Sequence, residues 1–125
     1  MKLAICAQGK GLEAEVDQRF GRCAYFVIVD TESGQVIDSV NNGSADASGG
    51  AGPQAAQLLS SLGVEAVALG NVGPNAVTAL QAAKIEVHSG VEGTVSASLQ
   101  KFLQGNMSPV SGATVSSHAG MNKKK

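Results

Sequence analysis

Charge is scarce in this 125-residue chain: 15% of the residues are Asp, Glu, Lys or Arg, well under the usual quarter. Nine basic and ten acidic side chains leave a net charge of −1. Three of the basic residues close the chain as Lys123-Lys124-Lys125, and without them the balance is −4. Such a balance argues against a broadly basic nucleic-acid binder. Long apolar runs are also missing. Leu3 to Ala7 is too short for a signal-peptide core, and no later stretch is long enough to cross a membrane, so a cytoplasmic protein without membrane contact is expected. Cysteine occurs twice, as Cys6 and Cys23. Their spacing is not that of a CxxC metal pair, and a reducing compartment disfavours a disulfide between them. Cys6 lies inside an apolar run and reads as structural. The plain reading is two free thiols in or near the core; of the two, Cys23 follows Arg22, whose charge would favour a thiolate, and so reads as the more reactive.

Hydrophobic residues nevertheless make up 43% of the chain, enough for the core of one domain. Leu3–Ala7, Ala24–Val29 and Gln35–Val40 read as three strands. The turn cluster Asp30 to Gly34 joins the second and third as an antiparallel hairpin. After a loop from Asn41 to Gly52, Pro53 suits the first turn of a helix, with Ala55, Leu58, Leu59 and Leu62 on one face and Gly63 as its stop. Val64–Leu69 is a fourth strand. Pro74 opens a second helix faced by Ala76, Ala79, Leu80 and Ala83. Ile85–His88 is a fifth strand. A third helix runs from about Thr94, with Val95, Leu99, Phe102 and Leu103 on one stripe and Gly105 as its stop. After Gly105 no period survives, so residues 1–105 are expected to form the domain and residues 106–125 a flexible tail. The strand–helix–strand units predict right-handed parallel crossovers. The expected architecture is a five-stranded mixed sheet of order 3-2-1-4-5, with the second strand antiparallel and helices on both faces.

In such a sheet the strand order changes direction beside the first strand, where open α/β sheets bind ligands beyond the carboxyl ends of their strands. Four loops converge on that edge. Residues 8–23 bring the only two arginines, Arg19 and Arg22, on either side of Phe20 and Gly21. Residues 49–52 bring Gly50, Ala51 and Gly52 to a helix start, and residues 70–75 bring Asn71, Gly73 and Asn75 to another. Ser89-Gly90 is the fourth. Arginine forks grip polyanions, and helix N-termini attract anions through their unbonded N–H groups and the helix dipole. The expected site is therefore an anion site of Arg19, Gly21, Arg22, Gly50, Ala51, Gly52, Asn71, Gly73 and Asn75. The plainer alternatives are glycines that only shape turns and arginines that pair with Glu13, Glu15 or Asp17 in a solvated loop. Neither glycine stretch matches a nucleotide-binding signature. Cys23 and His88 are weak metal-ligand candidates, as are Met107, His118 and Met121 in the C-terminal segment. No spacing suggests a nucleophile with its base.

The stretch Asp17-Gln18-Arg19-Phe20-Gly21-Arg22-Cys23-Ala24-Tyr25-Phe26, together with Gly50-Ala51-Gly52 and Gly70-Asn71-Val72-Gly73-Pro74-Asn75-Ala76, resembles the dinitrogenase iron–molybdenum cofactor biosynthesis family, and in particular its small single-domain members. The resemblance spans residues 1 to 105. It implies an RNase H-like three-layer α/β/α fold and a non-enzymatic role in a monomer. That role is to bind, store or pass on a preformed metal–sulfur cluster of molybdenum with iron or copper, received from a donor protein and given to an acceptor. Two other readings stand beside it: an interaction module whose glycine-lined edge docks a protein, and an RNase H-like nuclease.

Overall fold

A computed structural model describes residues 1–43 and 51–110. Its elements are β1 (Lys2–Ala7), β2 (Tyr25–Asp30), β3 (Val36–Asn41), α1 (Ala51–Ser61), β4 (Ala66–Leu69), α2 (Pro74–Ala82), β5 (Glu86–Ser89), α3 (Val95–Leu103) and β6 (Ser108–Pro109). They form a mixed sheet of order β3-β2-β1-β4-β5-β6. β2 is antiparallel to β1 and β3, while β4 and β5 continue parallel to β1. The first five strands thus take the expected order and directions.

β1 is buried from Leu3 to Ala7, because it is central and covered on both faces. Every second residue goes to each side. Ala4 and Cys6 join Phe26, Ile28, Val67 and Leu69 in a core beneath α1 and α2, which add Ala55, Leu59, Val77 and Leu80. Leu3, Ile5 and Ala7 join Val27, Val29, Ala66 and Ala68 beneath α3, which adds Val95 and Leu99. The molecule is therefore a three-layer sandwich with two helices on one face and one on the other. The helix limits follow local chemistry. α1 starts two residues ahead of Pro53, which still falls in the first turn where its missing N–H costs nothing. Leu58 and Leu62 lie at the margin of its packed face, and Ala55, Ala56 and Leu59 fill the centre. Thr94 caps α3 by accepting the Ala97 N–H at 3.1 Å.

The difference from expectation lies past Gly105. Asn106 to Val110 continue onto the sheet: β6 is antiparallel to β5, with His88 opposite Pro109 and Ser89 opposite Ser108. Met107 is buried among the residues under α3, and the Val110 N–H donates to the Val87 carbonyl at 2.8 Å. The sheet therefore has six strands, and its pairing runs past the expected domain limit as far as Val110. A two-residue strand has no period to read, and Pro109 is tolerated only because β6 is an edge. Residues 111–125, with His118 and Met121, lie outside the described residues.

Candidate functional site

The carboxyl ends of β1, β3, β4 and β5 lie along one edge of the sheet, and β2 enters from it. The segment between β1 and β2 is laid across these ends. Asp17 donates its N–H to the Cys6 carbonyl at 2.9 Å, Val16 to Gly93 at 3.0 Å, and Phe20 to Asn71 at 3.1 Å. Asn71 returns its N–H to Gln18 at 2.6 Å, giving a parallel bridge between Arg19 and Asn71. Asn71 thus holds the arginine loop through its backbone.

The Arg19-Phe20-Gly21-Arg22 motif acquires a physical reason. Phe20 is buried and packs against Phe26 with ring centroids 5.7 Å apart, which anchors the loop in the core. Gly21 has φ +92°, a left-handed conformation that costs glycine little. A Cβ there would stand 3.1 Å from both N and Cα of Gly52. The arginine loop therefore lies directly against the start of α1. Gly52 in turn abuts α2, since a Cβ on it would come within 2.7 Å of the Ala76 Cβ. Three segments remote in sequence meet here because two glycines lack side chains.

Arg22 is exposed and stands between two depressions. One, of about 230 Å³, is lined by Phe20, Arg22, Ala51, Gly52, Pro53, Gly73, Pro74, Asn75 and Ala76. The other, of about 530 Å³, is lined by Gln8, Val16, Asp17, Gln18, Arg19, Arg22 and Ala24. The smaller one gathers the features expected of an anion site. Gly73 caps α2 without any side-chain acceptor, and Pro74 follows it. The amides of Asn75 and Ala76, in the first helical turn, have no acceptor within the helix. Of the residues expected at this edge, Arg22, Ala51, Gly52, Gly73 and Asn75 line one depression, and Gly21 supports it from behind. Gly50 lies outside the described residues.

Arg19 behaves differently. Its Nε and Nη2 donate to the two oxygens of Asp17 at 3.1 and 3.2 Å, and its backbone N–H donates to the same carboxylate at 2.9 Å. An internal ion pair thus applies to Arg19. Arg22 is exposed and lines both depressions. Burial pushes the Asp17 carboxyl up, but the hydrogen bonds from Arg19 and its charge more than offset this and hold it below the usual carboxylate range. A lowered carboxyl contributes stability above its unfolded pKa and loses it as pH falls through the folded value. Asp17→Asn should therefore destabilise the protein at pH 7, by no more than about 1 kcal/mol because Arg19 is solvent-screened. Denaturant titrations should show that difference shrinking as pH falls below the ordinary carboxylate range. A difference that persists in acid would refute the ionic contribution.

Cys23 does not match the expectation of an accessible, reactive thiol. Cys6 and Cys23 both have 0% exposure and lie side by side in the core beneath α1 and α2. Burial, then the neighbouring Cys23 thiol, pushes Cys6 well above the ordinary thiol range. The Arg22 side chain turns outward, whereas the next residue turns in, so proximity in sequence gives Cys23 no solvent. Both thiols should react with a disulfide reagent at least about a hundredfold more slowly in the native protein than in denaturant, since each must wait for an opening. Rapid native labelling of either would contradict this burial.

His88 is not part of this edge cluster. Its Nε2 lies 3.2 Å from Glu86 Oε1, and its ring stands edge-on to Phe102 with centroids 5.0 Å apart. Met107 is buried under α3. Among the described residues no group of three or more His, Cys, Asp and Glu is placed to hold a metal ion. No described helix is long and apolar enough to cross a membrane. Two structural features escaped the sequence reading. Gln8 and Gln18 line the larger depression. Asn42 is buried under the arginine loop. No spacing marks any of them out from other polar loop residues.

Fold and edge together define a small three-layer α/β domain in which an arginine loop and two glycine-flanked helix starts meet at one edge of the sheet. The chain belongs to the family described as dinitrogenase iron–molybdenum cofactor, whose model matches residues 1–105. Among solved structures it is similar to the apo form of the orange protein from Desulfovibrio gigas, with 43% identity, a TM-score of 0.85, and 90% of this chain and 95% of that one covered. It is also similar to a Thermotoga protein whose name refers to NifB and the DUF35 family, at 42% identity and a TM-score of 0.78, covering 90% and 96%. An uncharacterized protein of Methanocaldococcus jannaschii is 29% identical over 109 residues, 86% of this chain and 89% of its own length.

Proposed function

We propose that this protein binds and carries a preformed, anionic metal–sulfur cluster as cargo, received from a donor protein and released to an acceptor in the cytoplasm. The observation that carries the reading is the position of Arg22, beside the uncapped start of α2 and the glycine-flanked start of α1. A thiometallate cluster, of molybdenum with iron or copper, is a bulky soft anion. Backbone amides and one planar guanidinium suit it through N–H···S contacts and charge. The donor set fits such cargo without a coordinate bond, because both cysteines are buried. Contacts of this kind also release their cargo more readily than several thiolate bonds. The chain's net charge of −1 is no obstacle, since the local field governs binding. Family membership and the likeness to the orange protein support the same reading, in which the protein is a carrier and catalyses nothing. An RNase H-like nuclease would need acidic residues gathered around metal ions, and no such group supports that reading among the described residues.

Titration of the ¹⁵N-labelled full chain with tetrathiomolybdate and copper(I) tests it. Amide shifts should concentrate in residues 19–24, in Ala51 and Gly52, and in Gly73, Asn75 and Ala76. Shifts confined to the β5–β6 edge would place the site elsewhere. A docking module without cargo would leave all of these signals unmoved.

A further inference from the structure

We propose that Asn42 is a positioning residue that holds Arg22 at the ligand edge, an inference that rests on the cluster-binding reading above. Arg22 is exposed, and the residue before it, Gly21, has φ +92°, a conformation that costs glycine little. Within the loop the Arg22 N–H donates to the Arg19 carbonyl at 3.3 Å. Asn42 adds a hold from the far end of β3. Its Nδ2 donates to the carbonyl of Gly21 at 3.0 Å and to the carbonyl of Cys23 at 2.9 Å. These are the two residues on either side of Arg22. Its backbone N–H donates to Ala24 at 2.9 Å. One residue thus grips the loop on both sides of Arg22 and again at Ala24.

The chemistry is specific to a carboxamide. Two carbonyl oxygens converge on one nitrogen, and only an NH₂ group offers two hydrogens in that geometry. Asn42 is 3% exposed, so water cannot replace those hydrogens without entering the core. An aspartate of the same shape offers no donor when ionised and sets its charge against both carbonyls. Asn42 also stands next to Gly43, where the chain leads on towards the Gly50-Ala51-Gly52 stretch and α1.

The experiment is a double-mutant cycle on the full chain, with tetrathiomolybdate as the probe and circular dichroism confirming the fold of each variant. Asn42→Asp should weaken binding by about tenfold in the parent, as expected when one well-placed charge-assisted contact is lost. In an Arg22→Ala background the same substitution should change affinity by less than about twofold, because the residue it positions is gone. Equal losses in both backgrounds would make Asn42 a general structural residue and overturn the proposal, as would unchanged affinity of the single variant. If Arg22→Ala itself binds the probe as the parent does, the site reading fails, and the role of Asn42 falls with it. Should Asn42→Asp not fold, Asn42→Ser, whose hydroxyl donates one hydrogen bond, takes its place in the same cycle. An intermediate loss that disappears in the Arg22→Ala background is then expected, and no such dependence overturns the proposal.

Discussion

Arg22→Ala should weaken binding of a thiomolybdate anion by about tenfold to a hundredfold. The guanidinium is the only charged group lining the depression with the starts of α1 and α2 among the described residues. A hydrogen bond to a charged group contributes about 1.5–3 kcal/mol, and each 1.4 kcal/mol is about a factor of ten in affinity. Arg22→Lys should recover part of the loss, because an ammonium keeps the charge and loses the planar fork. Rising ionic strength should weaken the parent more steeply than Arg22→Ala, since screening acts on the contact that the variant lacks. Lys101 is the control. It lies on α3, on the opposite face of the sheet, and its Nζ donates to the Gly90 carbonyl at 2.9 Å. Lys101→Ala removes the same charge and should leave affinity nearly unchanged. Calorimetric or spectroscopic titration reads all four proteins. Indistinguishable affinities for the parent and Arg22→Ala would remove this arginine from the site.

Gly52→Ala should lower stability by about 1–2 kcal/mol and weaken anion binding with it. The new Cβ would be placed 2.7 Å from the Ala76 Cβ and 3.4 Å from the Ala76 Cα, and the first of these is closer than carbon atoms approach. Relieving the clash means separating the starts of α1 and α2, and overpacking of this kind costs about 1–3 kcal/mol. The gain from replacing a helical glycine with alanine is at most about 1 kcal/mol, so the clash wins. The arginine loop adds to the effect, because Gly21 packs on the backbone of the same residue. Ala76→Gly in the same chain should restore part of the stability, since it removes the atom that the introduced methyl group would meet. The two changes should be non-additive by about 1 kcal/mol in denaturant unfolding. A Gly52→Ala protein as stable as its parent would show that the two helix starts separate freely.

Much of the scaffold was legible along the chain, for identifiable reasons. β1, β2, β4 and β5 are short apolar runs bounded by turn residues, and Pro53, Pro74 and Thr94 mark helix starts through local chemistry that needs no tertiary partner. The directions of the first five strands followed from connection length, since a short turn permits a hairpin and a helix between strands requires a crossover. The arginine pair and the glycine–proline pairs stood out because their types suit an anion wherever they are placed. Their meeting at one edge followed from the sheet order and needed no side-chain detail.

What the sequence by itself determined, then, is the first five strands, the three helices, their order in the sheet and the residue types gathered at one of its edges, because each depends on residues close together in the chain. Only the tertiary structure decided that Arg19 pairs with Asp17. Glu15 and Asp17 both lie within one short stretch of Arg19, and only Asp17 is turned inward beside it. The folded chain alone decided that Cys23 is buried against Cys6, because that depends on which way one residue of a loop turns. It added β6, whose two residues have no pattern of their own and take their conformation from the open edge of β5. It also brought Asn42 under the arginine loop from about twenty residues away. A hydrogen bond across such a span leaves no periodicity, and it arises only once the packed sheet has fixed where both ends must lie.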